Sequence, residues 1–494
     1  MTADLKEHFF LKRGFSLLLA VLFALVIFNW AVPTHFDADT VLLSVMSMQK
    51  VTLFYWGQDR YANFLPFLYS WIPSPRANLL AIYFTSGLTF FLLLELISNL
   101  LAKLNGKKIA SFRLVCFLVL SLVSLLVLNK KGIYTFAYAA QPYSMSFLFM
   151  GWSWLLICHN RLNGLKTIVI FLLMLIAVGI NPSIILIAWA TLVICLFYFR
   201  NWKVFILPIM ATGLFFFWQY LSSGVNAPHE DYSKFSQTAV FFENLKSTLN
   251  NFSQETERLS LTFALLGLSI ALFIVLIKKH VIPKQVQFLI VLLSLFALFW
   301  WCLFSMSDWA TKNNFHFRYF FPSLLILLVL ISMSISYALL SMPMQWHMPF
   351  AVMLLVFLGV TAVRPIMPMK YWHSSGGFDG VGQYMDLKQA RILAGGYWQV
   401  WPALFRIQSV THHKHTDGDP RLYGAAYRGY VNRAEMDSLI IREMKQGKVS
   451  TAVCIGAEPE QCVNELVANT SFKWTYVEQG NCGITKCHLL QVQH

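Results

Sequence analysis

Apolar runs of bilayer length alternate with short polar stretches over the first three-quarters of the chain. A hydrocarbon core about 30 Å thick takes about 20 helical residues to cross. Runs of that order lie at 14–32, 78–102, 112–128, 144–159, 167–180, 184–199, 204–222, 260–278, 286–305, 321–340 and 348–365. They predict an all-α polytopic membrane bundle of about 11 transmembrane helices. The fifth and sixth runs are short and meet at Asn181-Pro182-Ser183. Proline prevents a continuous helix there, so the segment is a tight external turn or the tip of a re-entrant pair. The first run follows Lys6, Lys12 and Arg13 like a secretory leader, but Asp37 and Asp39 stand where cleavage needs small neutral residues. It is expected to be retained as a span.

The polar positions divide the chain into a transmembrane part, 1–365, with an external first loop at 33–77, and an extracytoplasmic α/β domain, 366–494. In that domain Asn432 followed by Glu435 resembles a capping box opening a helix that stops at Gly447. Val449 to Ile455 reads as a buried strand. Phe472 to Glu478 and Cys487 to Val492 read as two more, joined through Gly480-Asn481-Cys482-Gly483. No internal repeat is visible.

Composition agrees with lipid as solvent: 57% of the 494 residues are hydrophobic and 12% charged, which excludes an ordinary soluble protein. A net charge of +15 suggests nucleic acid at first sight, but the basic residues cluster at span ends. Lys103, Lys107, Lys108 and Arg113, then Arg161 and Lys166, then Arg200 and Lys203, then Lys278, Lys279 and Lys284 occupy alternate loops. The positive-inside rule puts these loops and the amino terminus in the cytoplasm. An odd span count then puts the carboxy-terminal domain outside, in the periplasm if the membrane is a bacterial inner membrane. No nucleic-acid partner is expected.

The cysteines point the same way. Cys116, Cys158, Cys195 and Cys302 fall in or at the ends of spans, whereas Cys454, Cys462, Cys482 and Cys487 are confined to the tail. Four cysteines in one polar domain suit an oxidising compartment. Cys454–Cys462 with Cys482–Cys487 is the most local of three pairings, and four free thiols are the alternative.

Candidate chemistry concentrates outside. Glu95 is the clear ionisable group within a span, near a cytoplasmic end where it can reach water or a lysine. Beyond the first span, His35-Phe36-Asp37-Ala38-Asp39 sets two carboxylates two residues apart at the membrane surface. They are suited to deprotonating an acceptor or holding a divalent cation. Residues 41–48 are apolar on one face and should lie along the interface. Tyr55, Trp56, Gln58, Asp59, Arg60 and Tyr61 follow, a mixture suited either to contacting sugar or to an interfacial aromatic belt.

The order of these pieces resembles the GT-C glycosyltransferases. His35-Phe36-Asp37 is similar to the His-Phe-Asp-Glu of protein O-mannosyltransferases, and aminoarabinose transferases carry a comparable acidic pair. Here Ala38 and Asp39 replace the adjacent Glu; Asp37 is preferred as the family's catalytic acid, with Asp39 close behind. Asn313-Asn314-Phe315-His316-Phe317-Arg318-Tyr319-Phe320-Phe321-Pro322 resembles the Arg-Tyr-x-x-Pro start of a late span in several members. The resemblance covers most of residues 1–365, through motifs of about thirty residues.

It implies a sugar donor linked to a polyprenyl phosphate, a glycan or lipid acceptor of the cell envelope, and inverting transfer with an aspartate as general base. Arg318, Arg60, Lys312, Lys130 and Lys131 would neutralise the leaving phosphate. His35, Tyr55, Trp56, Gln58, Asp59, His316 and Tyr319 would contact sugar or acceptor. Arg318 simply snorkelling from a helix end is the alternative for that residue. Mg²⁺ or Mn²⁺ between Asp37 and Asp39 is conceivable, yet many single-sugar members need no metal, and no metal ligand is assigned. An envelope polysaccharide polymerase or ligase, and then a transporter or flippase, are the competing functional classes.

Three further clusters read more simply. His229-Glu230-Asp231 with Glu255-Thr256-Glu257 suits a solvated charge cluster. His412-His413-Lys414-His415, near Asp417 and Asp419, suits a flexible loop, since its spacing is not that of a structural zinc site. Tyr397, Trp398 and Trp401, after Gly395-Gly396, are aromatic candidates for substrate contact.

Overall fold

A computed structural model describes residues 3–31, 38–49, 51–54, 62–105, 109–139, 141–159, 163–199, 205–223, 240–255, 259–341, 377–411, 422–427, 434–483 and 485–493. The chain forms two compact units, one of Met1–Val32, Phe84–Phe216 and Asp231–Ile366, the other of Pro33–Tyr83, Phe217–Glu230 and Met367–His494.

The first unit is a helical bundle. Its helices are α1 (Ala3–Ala31), the greater parts of α4 (Pro75–Asn105) and α10 (Ile206–Ser223), α5 (Ile109–Val127), α6 (Lys130–Tyr134), α7 (Gln141–His159), α8 (Gly164–Ile180), α9 (Ile184–Phe199), α11 (Phe241–Glu255), α12 (Leu259–Lys278), α13 (Lys284–Ser305), α14 (Asp308–Lys312) and α15 (Phe321–Leu340). Among the described residues four helices are long and apolar enough to cross a membrane: Pro75–Lys103, Ile206–Ser223, Lys284–Ser305 and Phe317–Leu340. Five more apolar helices are shorter. The eleventh expected span, 348–365, lies outside the described residues.

The bundle has the surface of a protein solvated by lipid. On α13, Val291, Leu295, Leu298 and Phe299 are exposed, and on α8 Leu165, Ile168 and Phe171 are exposed as well. Inside, Phe23 stacks on Phe91 and meets Phe117 edge-on. Serines in the spans turn their hydroxyls back onto their own helix, as Ser124 does to the Leu120 carbonyl and Ser332 to that of Leu328. Asn181 ends α8, and its side chain accepts from the Ser183 amide in the expected turn.

Two stretches expected as external loop are helical instead. Lys130–Tyr134 runs on into a π-helical turn, Thr135–Ala139, whose Phe136 packs on Phe317 and Phe321. Residues 241–255 form the amphipathic α11, which buries Asn244, Thr248 and Phe252.

The second unit is an α/β domain that takes in the first polar loop. Its sheet has the order β2-β1-β3-β5-β4, built from β1 (Ile392–Gly396), β2 (Tyr423–Tyr427), β3 (Thr451–Ile455), β4 (Trp474–Asn481) and β5 (Lys486–Val492). The first three strands are parallel, and β5 joins β3 and β4 antiparallel. Its carboxy-terminal helices are α16 (Gly377–Leu387), α17 (Tyr397–Thr411), α18 (Ala434–Lys445) and α19 (Pro459–Thr470). The expected helix ends near Gly447, at φ +67°, and the expected hairpin is β4–β5. Both disulfides, Cys454–Cys462 and Cys482–Cys487, form in the local pairing.

From the amino-terminal side this unit gains α2 (Ala38–Gln49), α3 (Phe64–Tyr69) and α4 as far as Tyr83. The segment expected to lie on a lipid surface is enclosed: Val41, Leu42, Val45 and Met46 are all buried, because α2 packs on both α17 and α3. Polar groups pin it. The Asn78 side chain donates to Ser47 Oγ (2.9 Å) and to the Tyr69 carbonyl (2.9 Å), Gln49 donates to the Leu422 carbonyl (2.8 Å), and Thr40 pairs with the Tyr83 hydroxyl (3.1 Å).

Candidate functional site

The sheet itself determines where the first candidate group sits. In the order β2-β1-β3, the chain leaves β1 for β2 on one side and returns past it to β3 on the other. Right-handed crossovers put the two connecting helices on opposite faces, and in open sheets of this order the carboxyl ends of the strands flanking the reversal, here β1 and β3, are where ligands commonly bind. Gly395, next to last in β1, has φ +130°, and a β-carbon there would strike the Ile455 carbonyl. Only glycine allows so close an approach, and it lets the chain turn at once into α17, whose first residue is Tyr397.

Tyr397 is 4% exposed and its hydroxyl donates to Asp39 Oδ1 at 2.8 Å. Asp39 occupies the first turn of α2. A carboxylate on rigid helix, oriented by a buried phenol, is equipped to accept a proton. Of the two acids, Asp39 is located beside the start of α17, and Asp37 lies outside the described residues. So do His35, Tyr55, Trp56, Gln58, Asp59 and Arg60. From the sequence Tyr397 is only an aromatic candidate, and its partnership with Asp39 has no local signal. Trp401 is buried and Trp398 is exposed.

In the bundle, Lys312, His316, Arg318 and Tyr319 come together in the connection from α13 to α15. Ser307 caps α14, and Asn314 and Phe315 both take φ +50° as the chain reverses. His316 Nδ1 accepts from the Arg318 amide at 3.3 Å, opening the 3-10 turn Phe317–Phe320. The Arg318 guanidinium lies 5.3 Å from the Tyr319 ring centroid, with a 3.4 Å contact to that hydroxyl. Trp300 anchors the turn by donating to the Tyr319 carbonyl at 3.0 Å. Arg318 is half-buried over an aromatic ring, and Lys312 and His316 are exposed.

Helix α11 fastens this connection. Asn251 donates to the Asn314 carbonyl at 2.7 Å, Trp301 to Thr248 Oγ1 at 2.9 Å, and Asn244 to the Ser305 carbonyl at 3.0 Å. At its far end the Gln254 carbonyl accepts from Asn129, the residue that caps α6. One helix thus ties Lys130-Lys131 to the Arg318 turn. Lys131 is exposed, and the side chain of Lys130 is outside the described residues. The spacing of Phe241, Leu245, Thr248 and Phe252 was the sequence signal for it.

An apolar cavity of about 390 Å³ opens among α7, α9, α13 and α15, with Phe147, Ile187, Phe296, Pro322 and Leu325 in its wall. Pro322 is one helical turn beyond Arg318. Glu95, meanwhile, is no isolated carboxylate: Arg113, rather than a lysine, pairs with it, and Arg113 also donates to Ser16. The pairing neutralises the span, as burial among helices demands. Among the described residues no group of three or more His, Cys, Asp or Glu could hold a metal.

Together these features define a helical membrane protein carrying a disulfide-bonded α/β unit. No protein-family model matches the sequence, and no curated protein matches it.

Proposed function

We propose that this protein is a GT-C-like membrane glycosyltransferase with eleven spans, its amino terminus in the cytoplasm and its α/β domain in the periplasm of a bacterial inner membrane. It moves a sugar from a polyprenyl-phosphate donor to a glycan or lipid acceptor of the cell envelope. The observation that carries the reading is the Tyr397–Asp39 hydrogen bond, which orients the second of the two acids that the resemblance offers. In the reaction the acceptor hydroxyl loses its proton to aspartate, and its oxygen bonds to the anomeric carbon. The anomeric C–O bond to the lipid phosphate breaks with its electron pair, and configuration inverts.

The bundle supports the donor half of the same reading. An apolar cavity suits a prenyl chain, and Arg318, one turn from Pro322 in its wall, suits the phosphate. The test is transfer from a polyprenyl-phosphate sugar by protein reconstituted in membranes. Asp39→Asn is expected to lower kcat about 100-fold or more with donor binding kept, within the range for general-base catalysis. Arg318→Ala is expected to raise KM for the donor. Full activity in both Asp37→Asn and Asp39→Asn would overturn the proposal.

A further inference from the structure

A second pocket belongs wholly to the α/β unit and involves none of the groups above. It measures about 580 Å³ and is walled by Glu458, Glu460 and Asn464 around the start of α19, by Tyr476 and Gln479 of β4, and by His488 of β5. The Cys454–Cys462 disulfide ties the end of β3 to the first turn of α19 and so holds one rim, while the β4–β5 ladder holds the other.

His488 is the unusual member. It is 8% exposed, it lines the pocket, and its Nδ1 has no hydrogen-bond partner. Burial depresses its pKa, so near neutrality the ring is uncharged and offers one donor and one acceptor. Its ring meets that of Tyr476 at 6.0 Å between centroids. A polar side chain left unsatisfied beside an open polar cavity calls for an explanation, and a ligand's hydrogen bond supplies one.

The wall selects the ligand class. The start of α19 by itself would favour an anion, but Glu458 and Glu460 place two negative charges there, which disfavours phosphate and carboxylate. What remains suits a neutral or amine-bearing ligand rich in hydroxyls. Two carboxylates accept from hydroxyl or ammonium groups, the amides of Asn464 and Gln479 donate and accept, and Tyr476 offers a ring face to C–H groups. We propose that this pocket binds a saccharide unit, uncharged or carrying an amine. The proposal does not depend on the chain being a transferase.

The experiment is saturation-transfer NMR on the full chain in lipid nanodiscs, with D-glucose, D-galactose, D-mannose, D-glucosamine and N-acetyl-D-glucosamine as probes. At least one should receive saturation, and Tyr476→Ala and Gln479→Ala should each weaken its binding about tenfold. Both side chains are exposed, so folding is not at stake, and an unchanged melting temperature and intact disulfides verify this. Asp39→Asn should leave the signal intact, which separates this pocket from the proposed transfer site. Saturation of none of the five sugars, or a signal undiminished in both variants, would overturn the proposal.

Discussion

The bundle and the α/β unit each use arginine to neutralise a carboxylate, but they differ in how much water the pair retains. In the bundle, the Arg113 and Glu95 side chains are 13% and 14% exposed, with the Ser16 hydroxyl as a shared further partner. In the α/β unit Arg406 is more deeply placed, at 6%, yet its partner Asp379 is 40% exposed and holds it with two hydrogen bonds of 2.8 and 3.0 Å. Lys388 and Glu478, at 30% and 43%, are wetter again. The series shows one chemistry graded by environment: in a lipid-solvated helix bundle a charge must be matched by another charge, whereas at the edge of a sheet water does part of the work.

Substitutions along that series should lose their effect in the same order. Arg113→Ala leaves Glu95 unpaired among helices and is expected to cost about 3–5 kcal/mol, read as a large fall in thermal unfolding temperature in detergent. Adding Glu95→Gln to it should recover most of the loss, and no recovery would show that packing rather than charge explains the site. Asp379→Asn keeps the geometry and removes the charge, for an expected cost of about 2 kcal/mol, measurable by denaturant unfolding.

The smallest effect lies at Glu478, and it shows in pH dependence rather than magnitude. The Lys388 hydrogen bond, with help from Tyr384, holds the Glu478 carboxyl below its ordinary 4.5. The unfolded chain therefore binds that proton more readily than the folded one. The contribution is complete above about 4.5 and fades as pH falls through the depressed value. Lys388→Met should flatten the acid limb of the stability profile, and high salt should mimic it. An acid limb unchanged in this variant would remove the pair from the comparison. Tyr384, pushed up to about 12 by burial and by Glu478, behaves in the opposite sense. Its contribution is present below 10 and is lost as pH rises towards 12.

Much of the bundle was legible because span length and hydropathy are local quantities. The run at 321–340 coincides with α15, and 184–199 coincides with α9, within one helical turn of the proline that separates it from α8. Strand β3 and the β4–β5 hairpin were legible from β-branched residues and turn chemistry. By contrast β1, Ile-Leu-Ala-Gly-Gly, and β2, Tyr-Gly-Ala-Ala-Tyr, are short, and most of their residues, glycine and alanine above all, have little preference for a strand. They are strands because parallel neighbours supply their hydrogen bonds and burial. Helix α11 falls in a stretch expected as external loop because it is polar, and its Asn244, Asn251 and Thr248 are spent on the α13–α15 connection and its flanking helix.

The sequence by itself determined that this chain needs lipid, where its apolar helices run, which four cysteines face oxidation and which acids and cations merit attention. Each follows from neighbours within a turn or a strand. Only the tertiary structure decided that α2 is a buried member of the α/β unit and that Asp39 meets Tyr397, 358 residues away. Contacts of that separation depend on strand order and on the close approach at Gly395, which no local pattern encodes.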